Sequence, residues 1–323
     1  MTSEEVKRAA RQLGFFACGI AKAAPVAEDD ANAYRRWLER RGNAEMHYME
    51  DHVEKRLDPT LLLPGAKSIV VVALNYTPTR KNDEKELCLA AYALGRDYHD
   101  VLKERLRLLA QTLRLPASND DLKICTDTVP ILERYWAVQA GLGFIGRNHQ
   151  LIIPHAGSMF FLGEIVTTCE ADQYDKPTSQ SCGLCKRCVE QCPTGALGDP
   201  LLFDSEKCLS YQTIEHRGPL SDAAKSHLGN VIYGCDRCQQ VCPWNKAAPP
   251  TDVADLQPSE ALMQMRRDDW RRLTVEQYRA LFKGSAVKRA KYEGLMRNIQ
   301  AALAQESCNE QAGGQQEKPW AKP

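Results

Sequence analysis

Cys182-Gly-Leu-Cys185-Lys-Arg-Cys188-Val-Glu-Gln-Cys192-Pro193 and, downstream, Cys235-Asp-Arg-Cys238-Gln-Gln-Val-Cys242-Pro243 are the stretches around which the chain is organised. The first is a C-x2-C-x2-C-x3-C-P run. Three thiolates spaced three residues apart can close on one face of an iron–sulfur cube, while the cysteine before proline normally ligates the other cube of a two-cluster ferredoxin. The second string is the same motif without its first cysteine, and Cys208, on the intervening segment, is the nearby cysteine left to replace it. Crossed ligation then gives Cys182, Cys185, Cys188 and Cys242 to one [4Fe–4S] cluster, and Cys192, Cys208, Cys235 and Cys238 to the other.

Two plainer readings compete. Zinc takes two C-x2-C pairs per tetrahedral site, which neither the tight triple nor the Cys-Pro ending suits. Disulfides suit small secreted domains. This chain has 323 residues and starts Met1-Thr-Ser-Glu-Glu-Val-Lys-Arg8, too polar and acidic for a signal peptide. Its 13 cysteines therefore point to a reducing cytoplasm. No apolar run approaches the roughly 20 residues of a membrane span. Lys+Arg and Asp+Glu both number 42, so no global basic field advertises nucleic acid, and any RNA contact needs a local patch.

The length allows two or three domains. Residues 3–13 read as a helix capped by Ser3, ended by Gly14 and followed by a short strand over 15–20. Tyr34 to Met49 reads as helix broken at Gly42. Ser68-Ile-Val-Val-Val-Ala-Leu-Asn-Tyr76 is the clearest strand. Lys81 to Glu86 is a charged loop. Leu87 to Leu113 reads as mostly helical, interrupted by Gly95-Arg96-Asp97-Tyr98-His99. Leu122 to Thr126 reads as a strand running into Asp127-Thr-Val-Pro130, with a helix starting at Leu132-Glu133-Arg134. Gly141-Leu-Gly143-Phe-Ile-Gly146 matches G-x-G-x-x-G, but no strand leads directly into it, so the glycines fit a tight turn or close backbone approach better than a nicotinamide site. Residues 150–153 and 159–166 read as a hairpin turned by Pro154 to Ser158. Composition shifts after Thr168. Over Arg266–Arg297, ten Lys/Arg stand against four acids, a net +6: either a solvated helical face or a phosphate-binding patch. Cys18, Cys88 and Cys125 lie in apolar runs and read as small core residues.

With these segments in place, the chain to about Leu303 resembles the epoxyqueuosine reductases. The resemblance rests on Arg56-Leu-Asp58-Pro59, Gly95 to His99, Asp127-Thr-Val-Pro-Ile-Leu-Glu-Arg134, Ala140 to Asn148, Phe161-Leu-Gly-Glu-Ile165, both cysteine strings, Cys242-Pro-Trp-Asn245 and Arg297-Asn298. It implies an α+β chain in three parts: a cobalamin-binding α/β-type catalytic domain over 1–168, a ferredoxin-like domain with two [4Fe–4S] clusters over 169–250, and a short basic helical region over 251–304. A disordered tail follows over 305–323. It implies reduction of epoxyqueuosine to queuosine at the wobble position of tRNA, with the epoxide oxygen leaving as water, in the cytoplasm. The partners are tRNA carrying epoxyqueuosine and an external low-potential electron donor, and no membrane.

By the same resemblance Asp127 is the proton donor, and Arg56, Tyr98, Asp127, Arg134, Leu151 and Ser210 lie along the cobalamin. Glu215 and Arg217 fall where the family meets tRNA. A carboxyl in a dry pocket can hold its proton near neutral pH, so a raised pKa is expected of Asp127. Two other readings share the cysteines: a corrinoid reductase of a small molecule, and a bare electron-transfer module. The second leaves the roughly 165 residues before the cysteines without a purpose.

Overall fold

The computed structural model describes residues 1–80, 85–116, 118–198 and 203–311, with 306–311 described by backbone alone. Part of the Lys81–Glu86 loop and the tail beyond 311 lie outside these residues.

The strand read at 68–76 is the middle of the fold. Its all-apolar pattern has a cause: both faces of its sheet are covered. β1 (Ala17–Lys22), β2 (Ser68–Asn75), β4 (Leu122–Cys125) and β7 (Phe160–Thr167) make a sheet of order β1-β2-β7-β4, antiparallel at each pairing. Val70, Val72 and Leu74 of β2 pack on one side with α1 (Ser3–Gln12) and α5 (Tyr98–Thr112). Ile69, Val71 and Ala73 pack on the other with Leu57, Leu63 and the Trp136 and Ala137 of α6 (Glu133–Gln139). The period-2 alternation assigns odd and even residues over 69–74 to different cores, and both cores take apolar side chains there. Between β1 and β2 come α2 (Glu28–Glu39), α3 (Val53–Leu57) and α4 (Pro59–Leu62).

Several local readings change. Thr2, not Ser3, caps α1, its hydroxyl accepting from the Glu5 N–H. The helix expected at 34–49 starts earlier and stops at Glu39, leaving a single 3-10 turn at His47–Met49. Of 87–113 only the part after Asp97 is an α-helix: Cys88–Leu89 is β3, followed by a 3-10 turn at Ala91–Ala93. The hairpin expected from 150–166 does not form. β6 (Leu151–Ile152) pairs with β5 (Phe144–Ile145), and β7 joins the main sheet instead, because its eight residues match the length of β2. Gly143 makes the β5–β6 ribbon possible, since a Cβ there would lie 2.1 Å from the Ile152 carbonyl oxygen.

The cysteine-bearing part is built of short helices: α7 (Arg187–Glu190), α8 (Leu209–Ile214), α9 (Asp222–His227) and α10 (Arg237–Gln240), with β8 (Val231–Tyr233) pairing parallel to β3. Asn245 ties it to the sheet domain: its side-chain oxygen accepts from the Ser158 N–H at 2.6 Å, and its amide donates to the Gln239 carbonyl at 2.7 Å. Gly157, at φ +88°, must be glycine there, because a Cβ would sit 2.0 Å from Asn245 Oδ1.

Then come α11 (Glu260–Gln264), α12 (Arg267–Arg271), α13 (Val275–Leu281) and α14 (Lys291–Gln311). α14 continues through Gln305–Gln311, which the composition assigned to the tail. Trp270, Phe282, Val287, Leu295 and Ile299 form a third core here with Ile232 and Tyr233. Asn298 is its polar pin: fully buried, it donates to the carbonyls of Thr213 (2.8 Å) and Ile232 (2.9 Å). Asn298→Ala would orphan two buried carbonyls, at a cost of about 2 kcal/mol. A urea titration should show a lower midpoint with unchanged slope; an unmoved midpoint would refute the pinning role.

Candidate active site

The fold sorts the eight cysteines into two groups. Cys182, Cys185, Cys188 and Cys242 line one cavity, together with Arg147, Asn148, Ile152 and Trp244. Burial raises the Cys188 thiol, and Cys182 and Cys242 raise it further. Burial likewise raises Cys242, which also feels Cys182 and Cys185. In the second group burial raises Cys208, with Cys192 adding. Cys235 is pushed up to about 12, by burial and then by Cys208 among its neighbours. Cys238 goes well above its ordinary value through burial, Cys235 and Cys208, and it also feels Cys188 of the first group. The two groups therefore adjoin. Among the described residues no three such side chains close on a single ion-sized point; the first four thiols instead wall a space. Buried thiols that repel one another as thiolates are stabilised in that form by metal.

Asp127 stands at the end of β4, in the left-handed region at φ +49°, a conformation that aspartate adopts more readily than most residues. Its Oδ2 accepts from the Tyr98 hydroxyl at 2.8 Å and meets His99 Nε2 at 3.0 Å. The other imidazole nitrogen, Nδ1, faces Asp97 Oδ1 at 2.7 Å. Both nitrogens thus address carboxylates, and only the imidazolium donates from both. Burial alone would lower His99, but hydrogen bonds with Asp127 and Asp97 outweigh it and raise the imidazole to about 9. The same bonds reverse the expectation for Asp127. Burial would raise it, but His99 and Tyr98 hold the carboxyl below the usual range. Its side chain is 57% exposed, so it lies at an open mouth rather than in a dry pocket. The proton of this pair resides on His99. Tyr98 is set by ring stacking on Phe161, 4.3 Å between centroids and 3° from parallel, and on His99 at 4.1 Å. Gly95 lets the loop before α5 close on the Asp255–Leu256 backbone, where a Cβ would lie 2.5 Å from Leu256.

Around this mouth the structure gathers residues that are remote in sequence. Tyr48, pushed up to about 12 first by burial, feels Glu215, Asp127, Arg289 and Arg56. The Arg289 guanidinium lies 5.6 Å over the Tyr48 ring and forks onto Glu215, Nη2 to Oε2 at 2.7 Å and Nε to Oε1 at 2.9 Å. Arg217 donates to the carbonyls of Ile214 and Arg289. Arg56 is buried, donates to the Tyr48 carbonyl at 3.2 Å and leaves its Nε without a partner. Arg134 is exposed, donates to the His149 carbonyl at 2.7 Å and lowers Asp127 further. Leu151 is buried in β6, and Ser210 is half-buried in α8; the hydrogen-bonded centre of the site does not include them. Tyr76, buried and raised, feels both Cys238 and Arg134, so the second thiol group and the Asp127 mouth flank one tyrosine.

Sequence reasoning quoted His99 and Glu133 only in passing and did not name Tyr48. The signal for His99 was its place beside Tyr98 in a polar interruption of an apolar pattern; Tyr48 and Arg289 carried none. A surface cleft bounded by Gln12, Gly14, Glu104, Arg105 and Leu108 contains no site residue. The basic patch also divides. Arg297 donates to the carbonyls of Gln212, His216 and Gly218, and Arg271 pairs with Asp268, whereas Arg272, Arg279, Lys283, Lys288 and Lys291 are exposed. No described helix is long and apolar enough to cross a membrane.

Residues 181–245 match the family of 4Fe-4S double cluster binding domains, and residues 56–128 match the family described as epoxyqueuosine reductase QueG, DUF1730. The chain is 41% identical over 297 residues to the epoxyqueuosine reductase of Leadbetterella byssophila, covering 92% of this chain and 97% of that protein. It is 35% identical to that of Pseudomonas aeruginosa, covering 93% and 84%. A crystal structure of an epoxyqueuosine reductase with a tRNA-Tyr epoxyqueuosine-modified stem loop superposes with a TM-score of 0.83 at 31% identity, covering 94% of this chain and 80% of that one. The Bacillus subtilis enzyme, with its catalytic aspartate loop swung out of the active site, gives 0.81 at 30% identity, covering 94% and 81%.

Proposed function

The chain belongs to the epoxyqueuosine reductase family, and we propose that it converts epoxyqueuosine to queuosine at the wobble position of tRNA with a proton drawn from the Asp127–His99 pair. It is an oxidoreductase, and its 181–245 segment is an iron–sulfur domain. The observation that carries the mechanism is the carboxylate of Asp127 held between a phenol and an imidazolium at an open mouth.

Cys182, Cys185, Cys188 and Cys242 would hold one [4Fe–4S] cluster, and Cys192, Cys208, Cys235 and Cys238 the other. Cobalamin suits the mouth: the unpartnered Nε of buried Arg56 and the exposed Arg134 offer donors to a large ring with amide arms. Arg56, Tyr98, Asp127, Arg134, Leu151 and Ser210 would hold it. When bound, these groups supply low-potential electrons and a cobalt centre able to reduce an epoxide carbon, chemistry that side chains lack.

The side chains do the rest. His99 holds the proton, and Asp127 Oδ2 anchors both His99 and Tyr98, leaving Oδ1 free of these two bonds. A proton that His99 passes to Oδ2 makes Asp127 the neutral acid, and rotation of that carboxyl presents the O–H to a departing epoxide oxygen at the mouth. Because Asp127 sits in a strained conformation, its loop can move at small cost; in the Bacillus subtilis relative that loop swings out. Glu215 and Arg217, braced by Arg289, face tRNA. The target base must leave its stack, which loop nucleotides do cheaply. The exposed Arg272, Arg279, Lys283, Lys288 and Lys291 add phosphate contacts. Raising salt should weaken binding of the stem loop log-linearly; a flat response in a filter-binding series would reduce this patch to a solvated face.

The direct test is anaerobic reconstitution with iron, sulfide and cobalamin, addition of a low-potential chemical reductant, then nucleoside mass spectrometry on tRNA carrying epoxyqueuosine. Queuosine formation is expected. Failure of fully loaded protein to form it would overturn the reading.

A further inference from the structure

Removing an epoxide oxygen as water breaks two C–O bonds, forms a C=C bond, and takes up two electrons from the external donor and two protons. The Asp127–His99 pair holds one proton. Behind it lie two carboxyls that the reaction as described does not use. Glu133, at the start of α6, accepts a hydrogen bond from the backbone N–H of Asp127 itself. Glu164 stands in β7, directly across from Cys125 of β4. It is 0% exposed, and neither of its carboxyl oxygens has a hydrogen-bond partner. A carboxylate left so would cost far more than any fold can absorb; the neutral acid is the form that can exist there. An acid placed without a partner between two packed layers, one step behind a catalytic mouth, marks function more often than packing.

We propose that Glu133, backed by the neutral Glu164, is an internal proton store that reloads the Asp127–His99 pair and so provides the second proton of each turnover. The proposal rests on the reading of that pair as proton donor. Glu133 is a positioning residue in this account: it reaches the substrate only through Asp127. Its electrostatic surroundings agree. Burial raises Glu133 to about 7, Asp127 raises it further, and Arg134 and His99 pull it back. Burial raises Glu164 well above the usual range, with Glu133 and Asp127 adding. The groups facing Glu133 are thus Asp127 from the β4–α6 loop, Tyr98 and His99 from α5, Arg134 from its own helix, and Glu164 from β7, which also faces Cys125. Three carboxyls and a phenol share one imidazolium and one guanidinium, and the burial of Glu133 and Glu164 makes further negative charge unwelcome, so a proton held near neutrality is the stable arrangement.

The test is Glu133→Gln in the full chain. Glutamine keeps an oxygen to accept from the Asp127 N–H but carries no exchangeable acid proton. In infrared difference spectra of the cofactor-free protein, a protonated-carboxyl band should titrate around 7 and be missing from Glu133→Gln. In reconstituted enzyme, multiple turnover should fall about 100-fold, the lower end for a positioned proton transfer, and its pH profile should lose the step near neutrality. Glu133→Asp should restore part of both. An unchanged infrared titration, or wild-type turnover with an unchanged pH profile, overturns the store while leaving the donor pair standing. The donor pair has its own test at Asp127.

Discussion

Asp127→Asn is expected to lower turnover by roughly 100- to 10,000-fold, the range for removing a positioned general acid or base, with the clusters and the fold retained. Asparagine has the same size and can still accept from the Tyr98 hydroxyl through its amide oxygen. What it loses is the negative charge that keeps His99 doubly protonated. In the wild-type chain that charge, with Asp97, raises His99 to about 9. The variant should therefore have a histidine that titrates at lower pH, visible by NMR of the imidazole protons in the cofactor-free chain. Wild-type turnover should decline as pH rises through about 9, since the form that must be protonated is lost there; in the variant any residual activity should decline earlier. The sign for stability is the same. A raised histidine stabilises the fold fully below its ordinary pKa and loses that contribution as pH climbs through the raised value. Depressed Asp127 contributes above the ordinary carboxylate range and stops contributing as pH falls. Near-normal turnover of Asp127→Asn would remove the pair from the mechanism.

The second large effect concerns the crossing of the cysteine strings. Cys192→Ala is expected to reduce bound iron by about half, through loss of one of two four-iron clusters, and to abolish electron delivery. Cys192 belongs by sequence to the first string, but its neighbour in space is Cys208, which in turn adjoins Cys235 and Cys238. Cys192→Ala combined with Cys235→Ala should therefore lose no more iron than either change alone. Cys192→Ala combined with Cys182→Ala should lose both clusters. Uncrossed strings predict the opposite pair of outcomes, so iron and acid-labile sulfide on four reconstituted proteins decide between them. Crossing would have a physical advantage: each string would close the other's cluster, so neither could unfold without opening both.

The thiol pattern was legible because ligand spacing is local. A triple at three-residue intervals followed by Cys-Pro states its chemistry within a dozen residues. The β2 run was legible for a related reason: burial on both faces removes every polar position and leaves an apolar, β-branched string. Hairpins and caps were harder. Residues 150–166 hold two strands and a turn, yet β7 paired with β2 and β4, because a long edge elsewhere offered eight partners where β6 offered two.

Asp127 marks the boundary most clearly. Its segment, and the presence of Tyr98 in a second polar segment, follow from the order of residues, and the role proposed for it follows from the family resemblance. The direction of its pKa does not. That depends on His99 and Tyr98 arriving from α5 and Arg134 from α6. The basic C-terminal run likewise looked uniform in sequence, until packing assigned Arg289 to Glu215 and Arg297 to three backbone carbonyls. By itself, then, the sequence named the eight thiols and the carboxylate on which the proposed chemistry rests, because ligand spacing and strand burial are written within a few residues. Only the tertiary structure decided where the proton rests and which cations remain exposed, because charge acts through space on whatever the fold brings within a few ångströms.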